Sequence, residues 1–343
     1  MIFIALMILV AILGPFIRPD HSTHANEQHL QIAKQKPGFE VKMLHISKPR
    51  YEPPSFWEKI TNYGWSSSFE AIPISEFDIQ GDTIFAIEFT PYDLKPEDVI
   101  THRYALSDVQ IEGEPESKKH FLGTDKLGRD LLSRLMGGTA ISLSVGLIAV
   151  LISLLVGITL GSIAGYYRGS VDNVIMWLIN VIWSIPTLLL VMAIVFAFGK
   201  GFEKVFVAVG LTMWVEVARI VRGQILSIRE KEFIEACRAL GYSNFRIIRK
   251  HILPNVLNPV IVISAANFSA AILIEAGLSF LGIGAQIPTP SWGNMIKEHY
   301  SFITTDYAYL AILPGVMIML MVLSFMLVGN GLRDALDIRS SSR

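Results

Sequence analysis

Residues 141–166 contain no charged side chain over 26 consecutive positions. No other feature restricts the fold as strongly. A helix satisfies its own backbone hydrogen bonds, and about 20 apolar residues carry it across a hydrocarbon core of ~30 Å. Five further apolar runs follow the same logic: 2–17, 174–198, 205–221, 259–283 and 310–332. The expectation is an all-α membrane protein with six transmembrane helices. The first and fourth runs are the shortest. Only 17% of the residues are charged, against about 25% in soluble domains. One cysteine, Cys237, excludes an internal disulfide.

The first run competes with a signal peptide. It lacks a basic leader and is long for an apolar signal segment, and Thr23-His24-Ala25 is a weak cleavage site. It is read as a retained helix over 1–17, with the true N-terminus left open.

Charge is unevenly distributed. Residues 18–120 hold 11 basic and 17 acidic side chains, and the remainder holds 18 basic and 13 acidic. That split indicates two environments rather than a nucleic-acid surface. Between the fourth and fifth runs lie Arg222, Arg229, Lys231, Arg238, Arg246, Arg249 and Lys250. Arg168 and the tail residues Arg333, Arg339 and Arg343 fall on the same side when six spans are threaded. Short basic loops stay in the cytoplasm. The C-terminus is therefore expected inside and residues 18–120 outside. Within that stretch, "FDIQGDTIFAIEF" alternates around Gly81-Asp82, a two-residue hairpin signal. It predicts a small external β-containing subdomain over 41–108, either a solvated cap or a contact for a soluble partner. An interfacial segment over 121–140, a core over 141–333 and a cytoplasmic tail over 334–343 complete the expected organisation.

Gly157, Gly161 and Gly165 form one helical face that lets backbones approach closely, within this subunit or against another. Pro186 and Pro314 predict kinks inside spans. Glu275 is the only ionisable residue deep in the fifth run. It either lines a pathway or gate, or hydrogen-bonds a neighbouring helix. Glu216 and Arg219, one turn apart, are expected to pair. His21, His24 and His29 match no strong zinc pattern and read as a solvated loop. Nucleotide-binding, metalloprotease and serine-nucleophile motifs are all missing, so no catalytic residue and no metal is assigned to the chain.

Residues 232–255, "EFIEACRALGYSNFRIIRKHILPN", interrupt the apolar pattern. Phe233, Ala236, Cys237 and Leu240 fall on one face of a short helix. Gly241 stands where a left-handed C-terminus wants glycine, Ser243 is placed to cap the next helix, and Pro254 to end it. Two short amphipathic helices at an angle form either a docking knob or a connector lying on headgroups.

"EACRALG" followed by "HILPN" resembles the coupling motif of ABC importer permeases, of the form EAA-x3-G-x9-I-x-L-P. Glu235, Ala236, Gly241, Leu253 and Pro254 match it, Cys237 is a conservative replacement, and His251 departs from it. "HFLGTDKLGRDLLSRLMGG" from His120 and "ILIEAGLSFLGIGAQIPTPSWGNMI" from Ile272 narrow the resemblance. Together they are similar to the second permease subunit of oligopeptide and dipeptide importers, a group that includes nickel importers. The resemblance covers the first span and His120 onward, and residues 41–108 look like an insertion.

The resemblance implies a type I importer permease fold in a bacterial or archaeal plasma membrane. It implies a heterodimer with a second permease, two cytoplasmic ATPase subunits or domains carrying ATP and magnesium, and an external substrate-binding protein. Glu235, Ala236, Cys237, Leu240, Gly241, Leu253 and Pro254, within a loop over 227–256, would dock on the ATPase. The chain would bind membrane lipid, no nucleic acid and no cofactor of its own. Two rivals belong to other classes. An ion-coupled transporter would usually carry several intramembrane ionisable groups, and a membrane-anchored enzyme would need a nucleophile–base pair in its external domain.

Overall fold

The computed structural model of the chain describes residues 1–91, 100–109, 115–199 and 202–341. Residues 92–99 and 110–114 of the expected external stretch, and 342–343 of the expected tail, lie outside the described residues. In chain order, α1 (Ile2–Ile17) precedes β1 (Phe39–Ser47), α2 (Phe56–Thr61), β2 (Phe69–Gln80), β3 (Thr83–Glu88), β4 (Thr101–Ala105) and β5 (Glu116–His120). Next come α3 (Leu131–Tyr167), α4 (Gly169–Trp183), α5 (Thr187–Phe198), α6 (Phe202–Ile228) and α7 (Glu232–Ala239). The chain ends with α8 (Asn244–Arg246), α9 (Leu253–Phe280), α10 (Trp292–His299) and α11 (Tyr309–Ser341). Two compact units result. One holds Met1–Met7, Ile141–Gln286 and Gly315–Arg343, and the other holds Ile8–Ala140 and Ile287–Pro314.

The second unit contains an antiparallel five-stranded sheet of order β4-β3-β2-β1-β5. Alternating side chains bury Leu44, Ile74, Ile84 and Ala86 on one cluster, and Val41, Met43 and Ala71, joined by Ile32 from before β1, on another. Gly81 and Asp82 form the two-residue turn between β2 and β3, with Gly81 at φ +65°. The sheet is wider than 41–108, because β5 pairs with β1 from Phe39↔His120 to Met43↔Glu116. Its sequence, Glu-Ser-Lys-Lys-His, has no apolar alternation, and only His120 is buried. Backbone pairing alone makes it a strand, and its lysines suit an edge.

Helix α3 starts at Leu131, ten residues before the apolar run, so the second half of the expected segment over 121–140 is continuous with the first long helix. Asp130 caps it: Oδ1 accepts from Ser133 N at 2.8 Å and from Ser133 Oγ at 2.7 Å. Asp130 Oδ2 lies 2.9 Å from His120 Nδ1. Burial alone would raise the Asp130 carboxyl, but these bonds outweigh it and hold the group below its ordinary value. The three N-terminal histidines do not form one solvated loop. His21 stacks on Trp65 at 4.8 Å, His24 is half-buried, and His29 lies 3.5 Å from Glu27. Asp125, Glu298 and His299 do approach within 4.8 Å of one another. Arg129 already binds both carboxylates, at 2.6 and 2.5 Å, with Arg134 3.6 Å from Asp125. This is a charge-balanced ion-pair network.

In the first unit α6 is the central helix. The Gly157–Gly161–Gly165 face of α3 lies directly on it, so the ladder packs within the subunit. A Cβ added at Gly157 would stand 2.6 Å from Val217 Cβ, one at Gly161 2.6 Å from the Ala218 carbonyl, and one at Gly165 2.9 Å from Ile225 Cβ. Asp172 of α4 accepts two bonds from Arg222, at 2.5 and 2.6 Å. Arg219 does not pair with Glu216; its guanidinium lies 3.9 Å over the Trp183 ring.

Among the described residues, three helices are long and apolar enough to cross a membrane: Leu131–Tyr167, Asn244–Phe280 and Tyr309–Leu336. The third apolar run is not one straight span. It breaks into α4 and α5, bent by 96°, because Pro186 cannot continue the hydrogen-bond ladder and disfavours helical backbone at Ile185. Helix α1 has 16 residues, and Glu216, Arg219 and Arg222 interrupt α6. Glu275 is fully buried in α9. One partner lies in its own helix: Ser279 Oγ donates to Glu275 Oε1 at 2.6 Å, and accepts from Ala285 N at 3.1 Å. Ser279 thereby links the Glu275 carboxylate to the loop after α9.

Candidate functional site

The segment between α6 and α9 is built from local rules. Helix α7 has Glu232 and Glu235 in its first turn and Arg238 in its last, signs that complement the helix dipole. It ends in a Schellman turn, with Tyr242 N donating to Cys237 O at 3.1 Å and Gly241 N to Arg238 O at 2.9 Å. Gly241 takes φ +74°, the left-handed region expected of it. Ser243 Oγ accepts from Arg246 N at 3.4 Å, capping α8.

Pro254 does not end a helix. From Asn244 the chain runs through a π-helical stretch, Ile247–Ile252, into α9 without a break. Pro254 follows directly, as the second residue of α9, and a local π-type register is one way a continuous helix accommodates a proline's missing N–H. One short helix and the foot of a transmembrane helix replace the expected pair of short helices.

Helix α7 has two apolar faces. Ile234 and Cys237 point inward and join Ile247, Ile252, Val217, Val221 and Ile225 in one buried cluster. Phe233, Ala236 and Leu240 point outward, with Leu240 69% and Phe245 of α8 also 69% exposed. Cys237 therefore belongs to the core and not to the outward face assigned to it. Glu235 is exposed beside that face, Leu253 is half-buried and Pro254 is exposed.

Sequence reasoning passed over the residues that fasten this segment to the spans. Tyr166, in the last turn of α3, is buried, and its hydroxyl donates to Asn244 Oδ1 at 2.8 Å. The Arg229 and Arg238 guanidiniums lie 5.9 and 5.7 Å from its ring centre, and Arg229 Nη1 also bonds the Tyr166 carbonyl. Arg168 pairs with Glu230 at 2.6 Å. Burial, and then the neighbouring Arg168 and Arg238 charges, lower the Arg229 pKa. The available signal was an aromatic pair, Tyr166-Tyr167, closing the longest apolar run.

Behind the segment, a cavity of about 450 Å3 opens between α6, α9 and α11. Gln224, Asn255, Asn258 and Arg333 contribute its polar lining. The segment is thus a rigid, apolar-faced projection rooted in a packed helix core. It carries no catalytic constellation among the described residues, and its geometry suits mechanical contact.

Residues 157–342 match the family described as binding-protein-dependent transport system inner membrane component. The chain is 37% identical over 303 residues to a dipeptide transport system permease protein of Alkalihalophilus pseudofirmus, covering 88% of this chain and 98% of that protein. It is 40% identical to a glutathione transport system permease protein of Pectobacterium atrosepticum, over 74% of this chain and 83% of that one. An oligopeptide transport system permease protein of Bacillus subtilis is 36% identical, with 74% and 80% covered. A solved structure of the MetNI methionine ABC transporter aligns at TM-score 0.50 and 18% identity, covering 59% of this chain and 95% of that one, a likeness of fold. These matches establish that the chain belongs to the family of binding-protein-dependent transport system inner membrane components.

Proposed function

We propose that the chain imports dipeptides or oligopeptides as one permease of a heterodimer. Two cytoplasmic ATPase subunits or domains, carrying ATP and magnesium, drive alternating access, and an external binding protein delivers the cargo. Support for the peptide comes from the names of relatives 36–40% identical to this chain. The observation that carries the coupling role is the outward Phe233–Ala236–Leu240 face, held by the Gly241 turn on a buried core. Glu235, Gly241 and Pro254 frame that docking surface, and Cys237 and Leu253 support it from beneath. Six crossings are inferred, from α1, α3, the bent α4–α5 pair, α6, α9 and α11. The cavity beside Gln224 and Asn258 is the better candidate for the cargo route. Glu275 acts on that route indirectly, by fixing the end of α9.

The test is co-expression with the second permease, ATPases and binding protein encoded beside this chain, followed by reconstitution in vesicles. ATP-dependent accumulation of a labelled dipeptide or tripeptide is expected. Accumulation of a nickel chelate without peptide uptake would move the cargo to the nickel branch. Uptake driven by an ion gradient without ATP would replace the importer reading altogether.

Orientation has its own expected outcome. Residues 18–120, including the sheet, are inferred to be external and the α6–α9 segment cytoplasmic, since this puts the basic loops inside. In a Cys237→Ala background, a cysteine at Asp82 should react with an impermeant thiol reagent in intact cells, and one at Ser227 should not. Both positions are solvent-exposed, so the reverse pattern overturns the threading.

A further inference from the structure

We infer that Tyr166 is the positioning residue through which movement of the docking segment reaches the transmembrane helices. This rests on the coupling role just proposed and adds to it a specific joint. A docked α7 transmits force only if something links it rigidly to a span. The apolar cluster beneath it supplies cohesion, but apolar contacts are non-directional and let packed helices slide.

Tyr166 supplies direction. It belongs to α3, whose glycine face is packed on α6. Its hydroxyl bonds Asn244, the first residue of the helix that continues into α9. Arg238 of α7 and Arg229, one residue past α6, lie 5.7 and 5.9 Å from its ring centre, and its carbonyl accepts from Arg229. One residue at the end of α3 thus meets the ends of three other elements, α6, α7 and α8. Three of its contacts are polar or charge–ring interactions, which weaken steeply with misalignment. Any rotation of α7 and α8 about the Gly241 turn must break these contacts or carry α3 with it.

The substitution Tyr166→Phe tests this with little change in volume. It keeps the ring, the apolar cluster and both arginine contacts, and removes only the hydroxyl bond to Asn244. The reconstituted complex, with all its subunits, is assayed for peptide uptake and for ATP hydrolysed over the same interval. We expect assembly and ATPase activity within about twofold of wild type. ATP consumed per peptide imported should rise roughly fivefold, the scale of one lost hydrogen bond. Asn244→Leu should raise that ratio by the same factor, and the double substitution should go no further, since both remove one bond. A merely structural hydroxyl would lower assembly, uptake and ATPase activity together and leave the ratio unchanged, and that result overturns the inference.

The docking variants Gly241→Val and Glu235→Lys separate the two levels. If they uncouple the complex while Tyr166→Phe does not, the joint is elsewhere and the docking role stands. If they leave coupling intact, the docking role itself has failed.

Discussion

Gly241→Val and Glu235→Lys should each leave the chain inserted and paired with its second permease, yet reduce substrate-driven uptake about tenfold or more. Gly241 is at φ +74°, and an added Cβ would meet nothing within 4 Å. The penalty is therefore conformational rather than steric. A left-handed backbone costs a non-glycine residue roughly 1–2 kcal/mol, and valine is stiffer still. The turn escapes that strain by opening, which re-aims α7 against α8 and carries the Phe233–Leu240 face out of register with a partner cleft. Glu235→Lys acts differently. It reverses a charge in the first turn of α7, where the helix dipole favours an acid, at an exposed position beside the outward face. Both changes lie outside the buried cluster of Ile234, Cys237 and Ile247, so the fold should survive them. Pull-down of each subunit, with uptake and ATPase activity in vesicles, reads the outcome. Either the ATPases are lost, or they hydrolyse ATP without moving cargo. Full stimulation and full uptake in both variants would falsify the docking role.

The second large effect is expected inside the helix core. Gly161→Leu should prevent the chain from accumulating as a folded species, with no selective effect on coupling. A Cβ at that site would lie 2.6 Å from the Ala218 carbonyl and 2.9 Å from Val221 Cβ. The first contact is backbone, so no rotamer relieves it, and α3 and α6 must separate. Overpacking of this kind costs about 1–3 kcal/mol and sometimes more, and here separation also undoes the contacts at Gly157 and Gly165. Thermal unfolding of the detergent-purified chain, followed by size-exclusion chromatography, measures it. Gly223→Ala is a useful control, because a Cβ there meets nothing within 4 Å. An unfolding midpoint for Gly161→Leu within about 1 °C of wild type, less than a 1 kcal/mol loss would move a chain of this length, means the ladder is not a packing face.

Much of this protein was legible in the sequence because the relevant physics is local. Uncharged runs of the right length name their solvent, since few environments other than lipid tolerate them. The Gly81-Asp82 hairpin, the Gly241 left-handed turn and the Ser243 cap are each set by backbone preferences of one or two residues. The docking motif was readable only through its resemblance to a known family, because local preferences left a connector lying on headgroups equally open.

What the tertiary structure decided was pairing, which no local preference encodes. The glycine ladder fitted either a partner subunit or this one, and only the packed helices assign it to α6. Cys237 and Leu240 share a helical stripe, yet one is buried and the other exposed, because the cluster under α7 claims Ile234 and Cys237 alone. Pro254 reads locally as a stop, but the π-helical stretch before it lets the chain run on into α9. β5 has no strand pattern of its own and is a strand because β1 offers it an unpaired edge. Tyr166 ended an apolar run without any motif around it. Its role depends on Arg229, Arg238 and Asn244, 63 to 78 positions away in sequence, which only the folded chain brings to one ring.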